Sequence, residues 1–243
     1  MRLAILADIH GNFQALQAVL ADLDGIGVDG VVSLGDNIGY GPQPEEVVQT
    51  LLARGIDSVI GNHELALGSA GYLLRLNPSP RISLEISRQL MSSESLSYCL
   101  SLPMYLVRHG ARFVHGCPPE SATTYLWDPA ETRLARIFTS YAEPLCFFGH
   151  THALAHFAAQ GQHYEVQQAA LQARALAPAS RYIINPGSVG QPRDDFNNLA
   201  KYGIWDQEAH TFIPRAVPYD VQQTVSLLQK RNFPRSNADR LLW

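Results

Sequence analysis

Cysteine is scarce in this chain of 243 residues. Cys99, Cys117 and Cys146 are an odd number, lie far apart and form no CxxC pair. The sequence therefore predicts neither a disulfide framework nor a thiolate zinc cluster, and it suits a reducing compartment. Because no serine or cysteine stands in a recognisable nucleophile motif, nothing indicates covalent catalysis by a side chain.

Long apolar runs and basic runs are missing as well. The apolar stretches are shorter than the roughly 18 residues that a membrane-spanning helix needs, and MRLAILADIHGN at the start has no signal-peptide pattern. Eighteen Lys and Arg against 22 Asp and Glu give a formal net charge of -4 without a basic stripe. We therefore expect a cytoplasmic protein that binds no membrane, and no nucleic acid through bulk charge.

Short apolar runs alternate with helical patterns in the N-terminal part. Such alternation predicts βαβ units, with a parallel sheet covered on both faces. The runs are residues 3–7, 30–34 and 56–60, and the helical patterns are 13–23 and 44–52. Since 46% of the residues are hydrophobic, the chain can bury one substantial core, so we expect a single domain across residues 1–243.

The middle and the C-terminal part give a second set of expectations. Residues 65–102 predict a helical insertion of two helices that overhangs the site as a partial lid. Residues 104–114 predict a hairpin, and six further strands are predicted at 146–148, 154–157, 163–166, 182–184, 202–205 and 211–216. A closing helix is predicted at 221–228, and the tail after Pro234 is expected to be loosely held.

Polar side chains of one chemical kind follow several of the predicted strands. Each alone is more often a helix cap, a turn residue or an ordinary histidine. Independent turn residues, however, have no reason to supply imidazole, carboxylate and carboxamide groups together, beside glycines that allow close backbone approach. Ligands bind at the carboxyl ends of the strands in α/β sheets, so distant residues can converge there. The set comprises Asp8 and His10 in ADIHGN, Asp36 in GDNIGYG, Asn62 and His63 in GNHE, His115 in HGCPP, and His150 and His152 in GHTH.

These donors indicate a site for divalent metal ions. Imidazole and carboxylate together favour manganese, iron, zinc, cobalt or nickel over copper or an iron–sulfur cluster. Two ions are chemically reasonable, with Asp36 as the bridge. One ion would take Asp8, His10 and His152, and the other Asn62, His115 and His150. Two carboxylates and two divalent cations give the site a net charge of about +2, or about +1 when a hydroxide bridges the ions. This positive charge would attract an anion such as phosphate.

The ordered motifs DIH, GDNIGYG, GNHE, HG and GHTH resemble those of the calcineurin-like metallophosphoesterase superfamily. NPGSVGQPRD at residues 185–194 is similar to its small prokaryotic, YfcE-like branch. The resemblance implies an α/β fold: a four-layer αββα sandwich with a mixed two-sheet core and a dimetal site at the strand C-terminal ends. It also implies the ligand division given above. His63 would not be a ligand but would protonate or stabilise the leaving-group oxygen.

The function that follows is a metal-dependent phosphoesterase for small phosphate esters of phosphodiester or nucleotide type. A metal-bridging hydroxide would attack phosphorus in line with the leaving group. Hydrolysis of dinucleoside polyphosphates and a non-catalytic scaffold of the same fold are the alternatives. A protein phosphatase is a weaker one, because that branch has an Arg soon after the Asp36 position, where this chain reads Asn37, Ile38, Gly39 and Tyr40.

Two residues are candidate substrate contacts, each with an equal structural alternative. Tyr40 contacts either the substrate or the helical segment after Leu65. Arg193 either binds phosphate through its two-pronged guanidinium or pairs with Asp194 or Asp195 at the surface. The sequence leaves formation of a homodimer open.

Overall fold

The computed structural model of the chain describes residues 1–194 and 197–242. Its strands are β1 (Arg2–Leu6), β2 (Gly30–Ser33), β3 (Asp57–Ser58), β4 (Tyr105–Arg108), β5 (Ala111–Val114), β6 (Leu145–Phe147), β7 (Leu154–Gln160), β8 (His163–Gln167), β9 (Arg174–Ala175), β10 (Arg181–Pro186), β11 (Ala200–Asp206) and β12 (Thr211–Val217). Its helices are α1 (Phe13–Ile26), α2 (Pro44–Ala53), α3 (Asn62–Gly68), α4 (Ala70–Arg75), α5 (Pro78–Leu90), α6 (Ser93–Ser101), α7 (Glu131–Phe138), α8 (Val221–Lys230) and α9 (Arg235–Asp239).

The strands form two six-stranded mixed sheets. The first has the order β3-β2-β1-β11-β12-β9, and the second has the order β4-β5-β6-β10-β7-β8. β1, β2 and β3 are parallel to one another, whereas β11 pairs with β1 in the antiparallel sense. In the second sheet β5, β6 and β10 are parallel. The predicted parallel pairing therefore holds for β1, β2 and β3, which form one side of the first sheet, and the mixed two-sheet core is confirmed.

Apolar side chains on both faces of each sheet create the four layers. Leu34 of the first sheet and Phe113 and Phe147 of the second are fully buried in one cluster between the sheets. Helices α1 and α2 cover the outer face of the first sheet with residues such as Leu16. Helix α7 covers the second sheet with residues such as Phe138. Each such buried side chain contributes about 1.5–3 kcal/mol, and the resulting αββα sandwich confirms the expected fold.

Four helices, α3 to α6, lie between β3 and β4, where the sequence pattern indicated two. Ser69, with φ of −143° and ψ of 117°, is extended and separates α3 from α4. Pro78 is at the first position of α5, where its missing N–H costs nothing. Ser92 caps α6 by accepting a hydrogen bond from the Ser95 N–H (3.2 Å). Pro78 and Ser92 therefore begin helices, whereas the sequence pattern indicated only an interruption at Pro78.

The expectation of a loosely held tail after Pro234 is wrong for the described residues. Ala238 and Leu241 are buried with Leu228 in a cluster at the end of the chain. The side-chain amide of Asn237 donates to the Tyr40 carbonyl (2.7 Å) and to Ser83 Oγ (2.9 Å). The tail therefore braces the loop that follows β2.

Parallel pairing directs several strand ends to one edge of the sandwich. At this edge the loops after β1, β2 and β3 lie next to the loops after β5 and β6. Those five loops carry the candidate ligands predicted from the sequence. Among the described residues, no helix combines the length and the apolar character needed to cross a bilayer.

Candidate metal centre

The seven predicted ligands come together where the two sheets meet. The Asp8 carboxylate accepts the His150 backbone N–H through both oxygens (3.0 and 3.1 Å), and this contact joins the loop after β1 to the loop after β6. Six of the seven side chains are buried, and the seventh, Asn62, is partly buried. The full set is Asp8, His10, Asp36, Asn62, His115, His150 and His152.

One group of donors surrounds the end of β1. Asp8, His10, Asp36 and His152 each offer an atom within 4.8 Å of the others. His10 Nε2 lies 3.1 Å from His152 Nε2 and 3.6 Å from Asp36 Oδ2. Asp8 Oδ1 lies 3.5 Å from His152 Nε2. Two carboxylates and two imidazoles therefore face a single point.

A second group shares Asp36 with the first. Asp36, His115 and His150 offer atoms within 4.8 Å of one another. His115 Nε2 lies 3.3 Å from Asp36 Oδ2, 3.2 Å from His150 Nδ1 and 3.1 Å from Asn62 Oδ1. Asp36 is thus the carboxylate between the two groups, as the sequence-based division expects.

The hydrogen bonds of the histidines test whether these donors suit a cation. His10 Nδ1 donates to the Ile38 carbonyl (2.9 Å), and His152 Nδ1 donates to the Gln191 carbonyl (2.7 Å). Because a carbonyl only accepts, the proton of each neutral ring is on Nδ1 and both Nε2 atoms present lone pairs. Two lone pairs that face each other at 3.1 Å have no proton to share. A cation between them removes the conflict, so the residues fit a metal ion.

The buried charges also favour a cation here. Burial alone would raise the pKa of Asp36, but His115 and His63 hold it well below its usual range. Burial opposes protonation of His115, yet the Asp36 carboxylate raises the pKa of that imidazole to about 9. By contrast, burial lowers the pKa of His150 to about 3 and keeps the pKa of His152 well below its usual range. Asp36 therefore stabilises positive charge beside it, either as a proton or as a metal ion.

The backbone of the ligand loops adopts a conformation that is rare for side chains other than glycine. Five of the seven candidate ligands have positive φ, between 51° and 66°: Asp8, His10, Asp36, His150 and His152. Gly61 has a related role, because a Cβ atom there would clash with Asp36 Oδ1. The loops thus turn sharply at each strand end and direct the side chains inward.

Glu64, which the sequence reasoning missed, ties two of these loops together. Its buried carboxylate accepts the backbone N–H groups of Asp36 (3.0 Å), Asn37 (2.8 Å) and Gly61 (2.8 Å). Burial and the nearby Asp36 raise the pKa of Glu64 to about 7. Its position was visible in the motif GNHE, since a Glu three residues after a helix N-cap commonly bonds back to the cap backbone.

Comparison with known proteins decides the family. The model of the calcineurin-like phosphoesterase superfamily domain matches residues 1–209. The chain belongs to this superfamily. A metallophosphoesterase from Sphaerobacter thermophilus of known crystal structure is 33% identical, with a TM-score of 0.84, and the match covers 100% of this chain and 99% of that one.

Two further relatives match this chain along nearly its whole length. An uncharacterized protein of Methanocaldococcus jannaschii is 29% identical over 243 residues, which are 98% of this chain and 96% of the relative. The crystal structure of a hypothetical protein from Pyrococcus horikoshii OT3 is 20% identical, with a TM-score of 0.79, and covers 99% of this chain and 97% of that one. The latter supports the fold alone.

His63 stands beside the first donor group without joining it. Its ring lies edge-on to the His10 ring, with centroids 4.7 Å apart, and its backbone N–H donates to Asp36 Oδ1 (2.9 Å). Burial lowers the pKa of His63. Its buried Nδ1 has no hydrogen-bond partner in the described part of the chain. The ring also lines the cavity over the centre.

The cavity over the centre measures about 190 Å³. Tyr40 and Arg193 line it together, with the Arg193 guanidinium 5.4 Å from the centre of the Tyr40 ring. Arg193 Nη2 donates to Gln191 Oε1 (2.7 Å), while Asp194 pairs with Lys201 Nζ at 2.8 Å. The surface pair with Asp194 is therefore absent, and a pair with Asp195 lies outside the described residues. The remaining lining comes from Asp36, Asn62, His63, His150, His152, Tyr125, and Arg75, Leu76, Asn77 and Pro80 of the helical segment.

Proposed function

We propose that this protein is a dinuclear metallophosphoesterase that hydrolyses small phosphate esters of phosphodiester or nucleotide type. The observation that carries the proposal is the pair of donor groups with Asp36 in common, whose imidazole lone pairs face one another with no proton between them. The whole-length similarity to a metallophosphoesterase from Sphaerobacter thermophilus supports it.

In this proposal the two donor groups would form two ion sites. Asp8, His10 and His152 would hold one divalent ion, and Asn62, His115 and His150 the other, with Asp36 between them. The mixture of imidazole and carboxylate suits manganese, iron, zinc, cobalt or nickel. When bound, two such ions would supply Lewis-acid polarisation of the phosphoryl group and would activate water for in-line hydrolysis.

The remaining residues of the cavity would bind the ester and move one proton. His63 lines the cavity beside His10, where its imidazole N–H can donate to the leaving-group oxygen. Arg193 and Arg75 add two positive charges to the cavity wall and favour an anionic substrate. Tyr40 packs its ring on both His10 (4.6 Å) and His63 (4.9 Å), and it would position these two imidazoles as well as contact the substrate.

Two features favour catalysis on small esters over a non-catalytic scaffold and a protein phosphatase. All seven donors and His63 are in place, which a purely structural scaffold does not need. The wall formed by residues 75–80 narrows the space over the centre to about 190 Å³, which suits a small ester better than a folded protein substrate. A cytoplasmic location and a homodimer remain predictions.

Metal content and activity test the proposal together. Protein loaded with each of the five metals should retain about two ions per chain and cleave bis-p-nitrophenyl phosphate. The Asp36→Asn variant should lose most of both, because Asp36 serves both donor groups. Asp57→Asn is the matched control, since its side chain is 56% exposed. Wild-type protein that retains only trace metal and cleaves no ester with any of the five would contradict the proposal.

A further inference from the structure

Two exposed aromatic side chains stand beside the candidate metal centre. Tyr125 is 44% exposed and Trp127 is 53% exposed. The Tyr125 ring stacks on the His150 ring, with centroids 3.8 Å apart and planes inclined by 18°. The Trp127 ring is nearly parallel to the Tyr125 ring, at 5.8 Å and 14°. Tyr125 and Trp127, which we call the aromatic step, thus lead from a candidate ligand to solvent.

The loop that carries the aromatic step is well anchored. Leu126, between the two aromatic residues, is buried in the cluster under the second sheet. Arg133 Nη2 donates to the Tyr125 carbonyl (2.8 Å), and the Cys117 N–H donates to the Thr124 carbonyl (2.9 Å). Anchoring of the chain on both sides of Tyr125 holds the rings in position, so a ligand that stacks on them pays little for ordering the loop.

The step offers flat apolar faces next to a site for an anion. Tyr125 itself lines the cavity, together with Arg193 and His150. A ligand that fits both features has a phosphoryl group and a planar ring system a short distance apart. Nucleotides have this combination, and bases stack on aromatic side chains in this way where proteins bind single strands.

On the strength of the function proposed above, we propose that the aromatic step is a base-binding subsite and that the substrates are nucleotidyl phosphoesters. His63 packs on His10 of the first donor group, whereas Tyr125 packs on His150 of the second. The leaving group therefore departs on the His63 side, and the stacked base belongs to the nucleoside that stays on phosphorus. Stacking uses ring faces rather than base edges, so we expect little discrimination among the four bases.

Two substrates with the same leaving group test this subsite. Thymidine 5′-(p-nitrophenyl phosphate) carries a base on the retained side, and methyl p-nitrophenyl phosphate does not. Trp127→Ala should lower kcat/KM for the thymidine ester by roughly 5- to 150-fold and leave that for the methyl ester nearly unchanged. Tyr125→Ala also removes the ring that stacks on His150, so it should lower kcat/KM for both esters, and more for the thymidine ester. Trp127→Phe should retain most of the preference. Tyr105→Ala, which removes a tyrosine 39% exposed on β4, is the matched control.

Fluorescence gives a second measurement that does not depend on turnover. Of the two tryptophans that the structure describes, Trp205 is buried and Trp127 is exposed. Thymidine 5′-phosphate should quench the emission of the wild-type protein, inorganic phosphate should not, and Trp127→Phe should abolish the nucleotide effect.

The outcomes separate the subsite from the catalytic proposal. Loss of both ester activities by the same factor in the alanine variants would mean that Tyr125 only positions His150, and the base-binding subsite would be wrong. Unchanged activities, or equal quenching by phosphate and nucleotide, would also overturn it. If metal-loaded wild-type protein cleaves neither ester but nucleotide still quenches Trp127, the catalytic proposal fails and the subsite stands.

Discussion

Replacement of Glu64 by Gln is the sharpest test of how the loops are held. Oε2 of Glu64 accepts the Asp36 and Gly61 N–H groups, and Oε1 accepts the Asn37 N–H. A glutamine of the same shape has only one acceptor oxygen. In its better orientation the oxygen serves two of the three donors, and the NH₂ group faces the third.

The cost of this change follows from the three bonds. One buried N–H without an acceptor costs about 1–3 kcal/mol, and the other two bonds each weaken by about 1 kcal/mol when the acceptor loses its charge. At pH 9, where the Glu64 carboxyl with its pKa of about 7 is ionised, we therefore expect the free energy of unfolding to fall by about 3–5 kcal/mol. For a domain of this size the melting temperature should fall by roughly 6–20 °C.

Urea unfolding and thermal melting of Glu64→Gln measure this loss, and Glu85→Gln is the control because Glu85 is exposed on α5. The variant should also retain less metal, since two of the three donors flank Asp36 or Asn62. A melting temperature equal to that of Glu85→Gln, with full metal content, would refute the role given to Glu64.

Three further predictions concern single side chains. Burial lowers the pKa of His156 to about 4, so the unfolded chain binds this proton more readily, and His156 alone should account for a loss of stability of up to about 3 kcal/mol as the pH drops from 6.5 to 4. Urea unfolding of His156→Leu across this range should lack that loss, whereas exposed His163→Gln should keep it. Lys201→Met leaves the buried Asp194 carboxylate without its ion-pair partner, so the free energy of unfolding should fall by about 3–5 kcal/mol. The double variant Lys201→Met with Asp194→Asn should recover most of that free energy. His63→Ala should keep its metal while turnover falls by about 10²–10⁴-fold; full activity would remove its role as an acid.

The strand ends were predictable because the candidate ligands stand within a few residues of the end of an apolar run. Once β1, β2 and β3 are parallel, Asp8, Asp36 and Asn62 must reach the same edge. The sequence could not show that β11 and β12 extend the first sheet in the antiparallel sense, because pairing partners far apart in the chain leave no local pattern. The eight-residue helix α7 was missed because it is short: Leu134, Ile137 and Phe138 have helical spacing, but a helix of this length holds only one such repeat.

The aromatic step was beyond sequence reasoning altogether. Tyr125 and Trp127 are two aromatic residues in a loop, and the sequence does not show which side chains their rings pack against. Only the fold of the loop after β5 places Tyr125 on His150, 25 residues further along the chain. The tail was misjudged because Asn237 gains its partners, Tyr40 and Ser83, only after α5 and α9 have packed together.

The conformation of the ligand loops argues for function independently of any resemblance. A residue other than glycine with positive φ costs of order 1–3 kcal/mol, and such residues persist only where the surroundings impose them. Here five of them share one edge of the sandwich, and all five carry donors that face the same two points. A protein selected only for stability would place glycine at these turns and apolar side chains in this space. Strain concentrated on inward-facing imidazoles and carboxylates is therefore what a pre-organised metal centre requires.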